Sequence, residues 1–279
     1  MMKMNRRDFL GGLIATAGLS FTGCETLERV TSRRYAAQLY SINKVAWRVP
    51  TVTFRTLKAA GYAGVEFAGY GGHGAKELKA MLEDAELLAM GTHVNGPVEL
   101  TGGNLAKTLD FAAELGLESI TTPHAKCDSA DGYRKFGAAM SAAAEKAKEY
   151  GIKVGVHTTY HHFTTKYGAE TAWDMIFKDA SPLLQQQIDT CNSFHVGANP
   201  AALIRSRPGR NFSVHLKENI PSASSVIGIP PTDGGALVPW DDVLAACAAE
   251  NVRWYVVEAE AIPDSFSPLE RSLVNLEQM

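Results

Sequence analysis

The sequence predicts an α/β protein folded as a single (β/α)8 barrel. Short β-rich runs alternate with longer stretches of helical period, the pattern of a parallel sheet joined by crossover helices. Eight such runs can be counted, and no Pro/Ser-rich linker interrupts them. Setting aside a 23-residue leader leaves 256 residues, close to the ~250 that one barrel of this kind occupies.

Taken in order, the first strand is expected at 35–40, and the helix after it, 51–60, closes at Gly61. The second strand, 64–68, carries Glu66 and leads to a helix at 75–86. A third strand, 88–93, ends on His93, and its helix, 104–115, stops at Gly116. The fourth strand, 119–122, precedes an Ala-rich helix at 131–150 that ends before Gly151. Strands at 153–157, 184–189, 213–217 and 254–258 follow, with helices at 169–178, 200–206, 241–250 and 268–277. Gly61, Gly116 and Gly151 stand just past a helix, where a left-handed C-cap is expected. No G-x-G-x-x-G turn follows the first strand, so a dinucleotide fold is not indicated.

The leader is read as an export signal. Lys3, Arg6 and Arg7 precede an apolar stretch at 9–21, too short to span a bilayer as a helix and of signal-peptide length. Asn5-Arg6-Arg7-Asp8-Phe9-Leu10 resembles a twin-arginine signal, and Phe21-Thr22-Gly23-Cys24 resembles a lipoprotein cleavage site with Cys24 as the acylated residue. The domains expected are thus a signal peptide at 1–23, a tether at 24–34 and a barrel at 35–279. The protein is expected outside the cytoplasm, in the periplasm or cell envelope, meeting the membrane only through a lipid anchor.

Charge narrows the partners. The chain has 27 Lys+Arg against 30 Asp+Glu; the leader holds three of the bases and one acid, which leaves 24 against 29, a net of −5. No basic cluster follows the leader, so a nucleic-acid partner is not expected. Cys127, Cys191 and Cys247 remain at wide spacings without a CxxC, which indicates neither a disulfide framework nor a thiolate metal site.

In such a barrel, catalytic groups occupy the C-terminal ends of the strands. Those ends carry Glu66, His93, His157, Asp189, His215 with Lys217, and Glu258. Three imidazoles and three carboxylates converging on one mouth form a ligand set for a divalent cation such as Zn, Mn, Co or Mg. Asp189 also reads as a helix cap, and Glu260 shares a face with Glu258. His195 is expected near the mouth, whereas His73 and His124 read as solvated loop residues. Trp47, Tyr70, Tyr160 and Trp240 read either as apolar walls for a sugar or as core.

Gln38-Leu39-Tyr40-Ser41, Gly64-Val65-Glu66-Phe67, Gly91-Thr92-His93, Ile188-Asp189-Thr190-Cys191-Asn192, Pro208-Gly209-Arg210, Val214-His215-Leu216-Lys217 and Val257-Glu258 resemble the sugar phosphate isomerase/epimerase group of xylose-isomerase-like TIM barrels. The resemblance implies one divalent metal held by His157, Asp189, His215 and Glu258. Relatives often carry Glu-Asn or His-Asn-His at the fifth strand, followed by Glu-Phe; here the run is His157-Thr158-Thr159-Tyr160-His161-His162-Phe163. His162 falls at the Glu position, which makes it a second candidate for metal or substrate.

Epimerising members pair two metal-binding Glu residues as acid and base, and here only Glu258 occupies such a place. The acid/base candidates are therefore Glu258 with His157, His93 or Glu66, and Lys217 polarises a substrate oxygen. Lys217, His195, His162, Tyr160 and Trp240 are the expected substrate contacts. An exported protein is expected to meet an unphosphorylated sugar or keto sugar. The activities implied are isomerisation or epimerisation by proton abstraction next to a carbonyl; elimination or hydration of a keto-glycoside, and sugar binding without turnover, stand as alternatives.

Overall fold

Parallel pairing runs around the sheet without a break. A computed structural model describes residues 33–123, 125–218, 237–259 and 266–279, and one compact unit spans Arg34–Met279. The strands are β1 (Tyr35–Gln38), β2 (Gly64–Phe67), β3 (Leu88–His93), β4 (Ser119–Thr122), β5 (Lys153–His157), β6 (Gln185–Asp189), β7 (Ser213–Leu216) and β8 (Trp254–Val257). They close in the order β1-β8-β7-β6-β5-β4-β3-β2. The returning helices are α1 (Pro50–Ala59), α2 (Ala75–Asp84), α3 (Asn104–Leu115), α4 (Ala130–Ala147), α5 (Ala172–Phe177), α6 (Pro200–Arg205), α7 (Trp240–Ala249) and α8 (Ser267–Glu277). The (β/α)8 barrel is the fold of this chain. The signal at 1–23, Cys24, His124 and Glu260 lie outside the described residues. Among the described residues no helix is long and apolar enough to cross a membrane.

Local chemistry sets the boundaries. Gly116, at φ 86°, takes the left-handed cap of α3, and Gly61 and Gly151 also have positive φ. β1 stops at Gln38 because its side chain accepts from the Tyr40 amide and starts a 3-10 turn. The fifth helix begins at Ala172 rather than 169, since Lys166–Tyr167 pairs with Glu170–Thr171 as a small hairpin. Thr171 and Asp174 then form a reciprocal capping box.

Two apolar layers surround a polar one. The outward strand residues Val65, Ile120, Val154, Ile188, Val214 and Leu216 pack under the helices, each such burial contributing roughly 1.5–3 kcal/mol. Inside the barrel, Ala36, Met90, Trp254 and Val256 form a second cluster. Trp254, the first residue of β8, makes this cluster a floor. Above it, Gln38, Glu66, Gln187 and Ser213 are buried. Gly91 makes room for them: a Cβ there would lie 2.5 Å from Ser119 Oγ and 3.4 Å from Glu66 Oε1.

Candidate active site

Strand register brings the predicted groups to one level, with His157 paired to Gln187 and Asp189 to His215. His215 lies between two carboxylates. Its Nε2 is 2.6 Å from Glu66 Oε2 and its Nδ1 2.7 Å from Glu258 Oε2. Burial opposes a charge on this ring, but Glu66 and Glu258 outweigh it and the pKa is pushed up to about 10. Burial also disfavours ionised Glu66, yet the facing His93 and His215 rings hold its pKa below the usual value. Glu258 behaves alike, its burial outweighed by Lys217 and His215, so its pKa falls well below the carboxylate range. The Lys217 Nζ stands 3.2 Å from Glu258 Oε1.

Glu66 is buried beneath the imidazoles rather than facing the mouth. Its Oε2 accepts from Gln38 Nε2 at 2.6 Å and its Oε1 from Gln187 Nε2 at 2.7 Å. This makes Glu66 a residue that orients His215, an arrangement that fixes a ligating imidazole, and removes it from the cavity wall.

Asp189 divides its two oxygens. Oδ1 accepts from the Asn192 amide at 2.7 Å and caps the Thr190–Phe194 turn, while Oδ2 is buried without a hydrogen-bond partner. His157 Nε2 is 3.7 Å from that oxygen and Lys217 Nζ 3.9 Å. Burial pushes the Asp189 pKa up to about 6, against the pull of Lys217. Burial drives His157 well below its ordinary value, and His215 and His93 add to this. Burial likewise lowers His93, despite Glu66.

The donor set fits a divalent cation. Ligating atoms of Asp189, His215 and Glu258 lie within 4.8 Å of one another, and His93, His157 and His215 form a second such group. His157 meets the first group at the unpartnered Asp189 oxygen. A buried carboxylate oxygen with no donor is costly, and a cation beside it removes that cost.

Over this cluster opens a cavity of about 430 Å³, whose lining includes Gln38, Tyr40, His93, Asn95, Glu99, His157, Asn192 and Glu258. The size suits a small organic ligand. Of the expected substrate contacts, Lys217 lies below the wall, buried with the cluster. His195 is exposed beyond the Thr190–Phe194 turn, and Tyr160 is 58% exposed; neither lines the cavity.

His162 does not reach the cavity. Its Nδ1 accepts from the Thr159 amide at 3.1 Å, its Nε2 meets the Ala125 carbonyl at 2.9 Å, and its ring packs 5.4 Å from Trp173. The turn His161–Thr164 rotates it into the α4–α5 packing. Trp240 is buried at the start of α7, its Nε1 donating to Glu218 Oε2 at 2.9 Å. Sequence reasoning gave no role to Gln187, Asn95 or Glu99, nor to Gln38 and Asn192 beyond their place in the quoted motifs. Gln187 carried a signal, because it lies two positions before Asp189 and so on the same strand face.

The family model of the xylose isomerase-like TIM barrel matches residues 54–273. The chain belongs to this family. A sugar phosphate isomerase/epimerase from Parabacteroides distasonis has a structure similar to this xylose isomerase-like barrel at TM-score 0.74 and 20% identity, over 88% of this chain and 94% of that one. D-psicose 3-epimerase, solved in the presence of D-fructose, is similar at TM-score 0.63 and 13% identity, over 88% and 96%. The 3-keto-D-glucoside 4-epimerase of E. coli is similar at TM-score 0.62 and 17% identity, over 89% and 100%. These likenesses show the fold. No curated protein matches the chain.

Proposed function

We propose that this chain is an exported, divalent-metal-dependent enzyme that moves a proton next to the carbonyl of an unphosphorylated sugar or keto sugar. The observation that carries the substrate class is the charge of the cavity wall. Among the described residues, its lining holds Glu99 and Glu258 but no Lys or Arg. Segments 219–236 and 260–265 also contain neither, and the Lys217 ammonium is already paired with Glu258. A phosphate group prefers a cluster of guanidinium or ammonium donors; hydroxyl groups are served by the Gln38, Asn95 and Asn192 side chains.

The proposed ligands are His157, Asp189, His215 and Glu258. When bound, a divalent cation stabilises the oxygens of an enediolate as a Lewis acid. His93 is the proposed base, being a cavity-lining imidazole kept neutral at physiological pH. Glu258 is the second proton carrier, and Lys217 holds it ionised until substrate arrives. The two carriers differ in kind, an imidazole and a carboxylate. That asymmetry favours directional steps, and elimination or hydration of a keto-glycoside at this site is the second reading. Export through the twin-arginine signal and a lipid on Cys24 belong to the same proposal, and fit a sugar met outside the cytoplasm.

The test joins metal analysis with a substrate screen. The purified protein should hold a stoichiometric divalent ion that Asp189→Ala and His215→Ala lose. It should exchange deuterium into free or oxidised sugars, or generate an ultraviolet-absorbing enone. Turnover confined to sugar phosphates refutes the substrate class; a protein that binds sugars without metal or exchange is a binder.

A further inference from the structure

Gln187 sits at the centre of the buried polar layer with every hydrogen-bonding valence in use. Its Nε2 donates to Glu66 Oε1 at 2.7 Å and to Ser213 Oγ at 2.8 Å. Its Oε1 lies 2.8 Å from His93 Nε2 and 3.0 Å from His157 Nδ1. The amide has one workable orientation. Turned over, it would set a carbonyl oxygen against the Glu66 carboxylate, two acceptors with no proton between them.

We propose that Gln187 is a positioning residue that sets the tautomer of His157 and, together with Glu66 Oε2 at 3.2 Å from His93 Nε2, that of His93, placing the proton of His93 on Nε2 and that of His157 on Nδ1. A carbonyl oxygen accepts and never donates, so both ring nitrogens that face it must carry hydrogen. His157 Nε2 has no hydrogen-bond partner, since Asp189 Oδ2 is 3.7 Å away, beyond hydrogen-bond reach, and a neutral ring carries only one proton. Its lone pair is therefore at Nε2, facing the unpartnered Asp189 oxygen. Among the described residues His93 Nδ1 has no hydrogen-bond acceptor either, so that nitrogen is left as the basic one. The amide thus makes His157 a ligand and, with Glu66, its neighbour His93 a base. These two roles rest on the function proposed above; the tautomers rest on the hydrogen-bond geometry alone.

The test is a long-range proton–nitrogen correlation spectrum of the 15N-histidine-labelled, metal-free full chain. The wild type should show His157 as the Nδ1–H form and His93 as the Nε2–H form. Either ring in the opposite form overturns the proposal, whatever any variant does. Gln187→Met keeps the length and removes the amide; it should mix or reverse the His157 tautomer and weaken Mn²⁺ or Zn²⁺ binding about tenfold to a hundredfold. Gln187→Glu keeps an oxygen towards both rings and must hold a proton on its other oxygen, which faces Glu66 Oε1; in that form it should retain the wild-type tautomers. Unchanged tautomers in Gln187→Met refute the assignment. A sugar screen without turnover leaves these spectra as they are and counts only against the enzymatic reading.

Discussion

Removing the Glu66 carboxylate exposes how the polar layer is held. In Glu66→Ala three buried donors lose their acceptor: Gln38 Nε2, Gln187 Nε2 and His215 Nε2. An unsatisfied neutral donor costs roughly 1–3 kcal/mol, and stranding one member of a buried ion pair costs about 3–5 kcal/mol. The three belong to one network and do not add, so a loss of about 4 kcal/mol is expected. Urea unfolding of the metal-free protein at pH 6 measures it. The pH dependence has a definite sign. Glu66 has a depressed folded pKa, so its stabilisation is present above its ordinary value of 4.5 and is lost as pH falls through the lower folded value. His215 has a raised one, so its stabilisation is complete below 6.5 and is lost as pH rises through about 10. The gap between wild type and variant should therefore be widest between about pH 4.5 and 6.5 and should narrow towards pH 10. A loss under about 1 kcal/mol, or a gap that widens above pH 7, refutes the reasoning.

Two further outcomes follow from the same geometry. Cation binding must displace the His215 proton below about pH 10 and the Asp189 proton as well below about pH 6, so Mn²⁺ affinity should fall about tenfold per pH unit from 10 to 6 and about a hundredfold per unit below that; calorimetric titration across pH shows the break. His162→Ala should destabilise by roughly 2–4 kcal/mol, as expected for a buried ring deleted against Trp173, and leave cation affinity unchanged, which a parallel melt and titration would verify.

The barrel and its polar mouth were legible because both have a periodic signature. Apolar runs mark strands, and an ionisable residue closing such a run is costly to bury unless a partner or an ion meets it there, as Asp189 and Glu258 illustrate. Residues doing their work through an amide were not legible, since glutamine in a strand looks ordinary until its neighbours are placed around it. Gln185, Gln186 and Gln187 are consecutive, and only the strand's alternation separates Gln187, inside the barrel, from Gln186, which donates to Leu203 O and Asn211 Oδ1 beneath α6. His162 misled for the opposite reason. Motif spacing placed it at the fifth-strand site, but that position now lies in a turn whose local hydrogen bonds to Thr159 and Ala125 decide where the ring points. Of the two readings of Trp240, sugar wall or core, the buried one holds, with Glu218 engaging its indole.

The divided Asp189 carboxylate has a consequence for binding. The group is planar, so anchoring Oδ1 on the Asn192 amide fixes the direction of Oδ2. Oδ2, the proposed ligand oxygen, is aimed before any ion arrives, and little rotamer freedom remains to be lost on binding. Turning it away would release the cap of Thr190–Phe194, roughly 1 kcal/mol, and with it the backbone amide of Asn192, whose residue lines the cavity. The proposed ion site and the Thr190–Phe194 turn are thereby geared together: a displacement at one oxygen is felt at the other as a movement of the cavity wall.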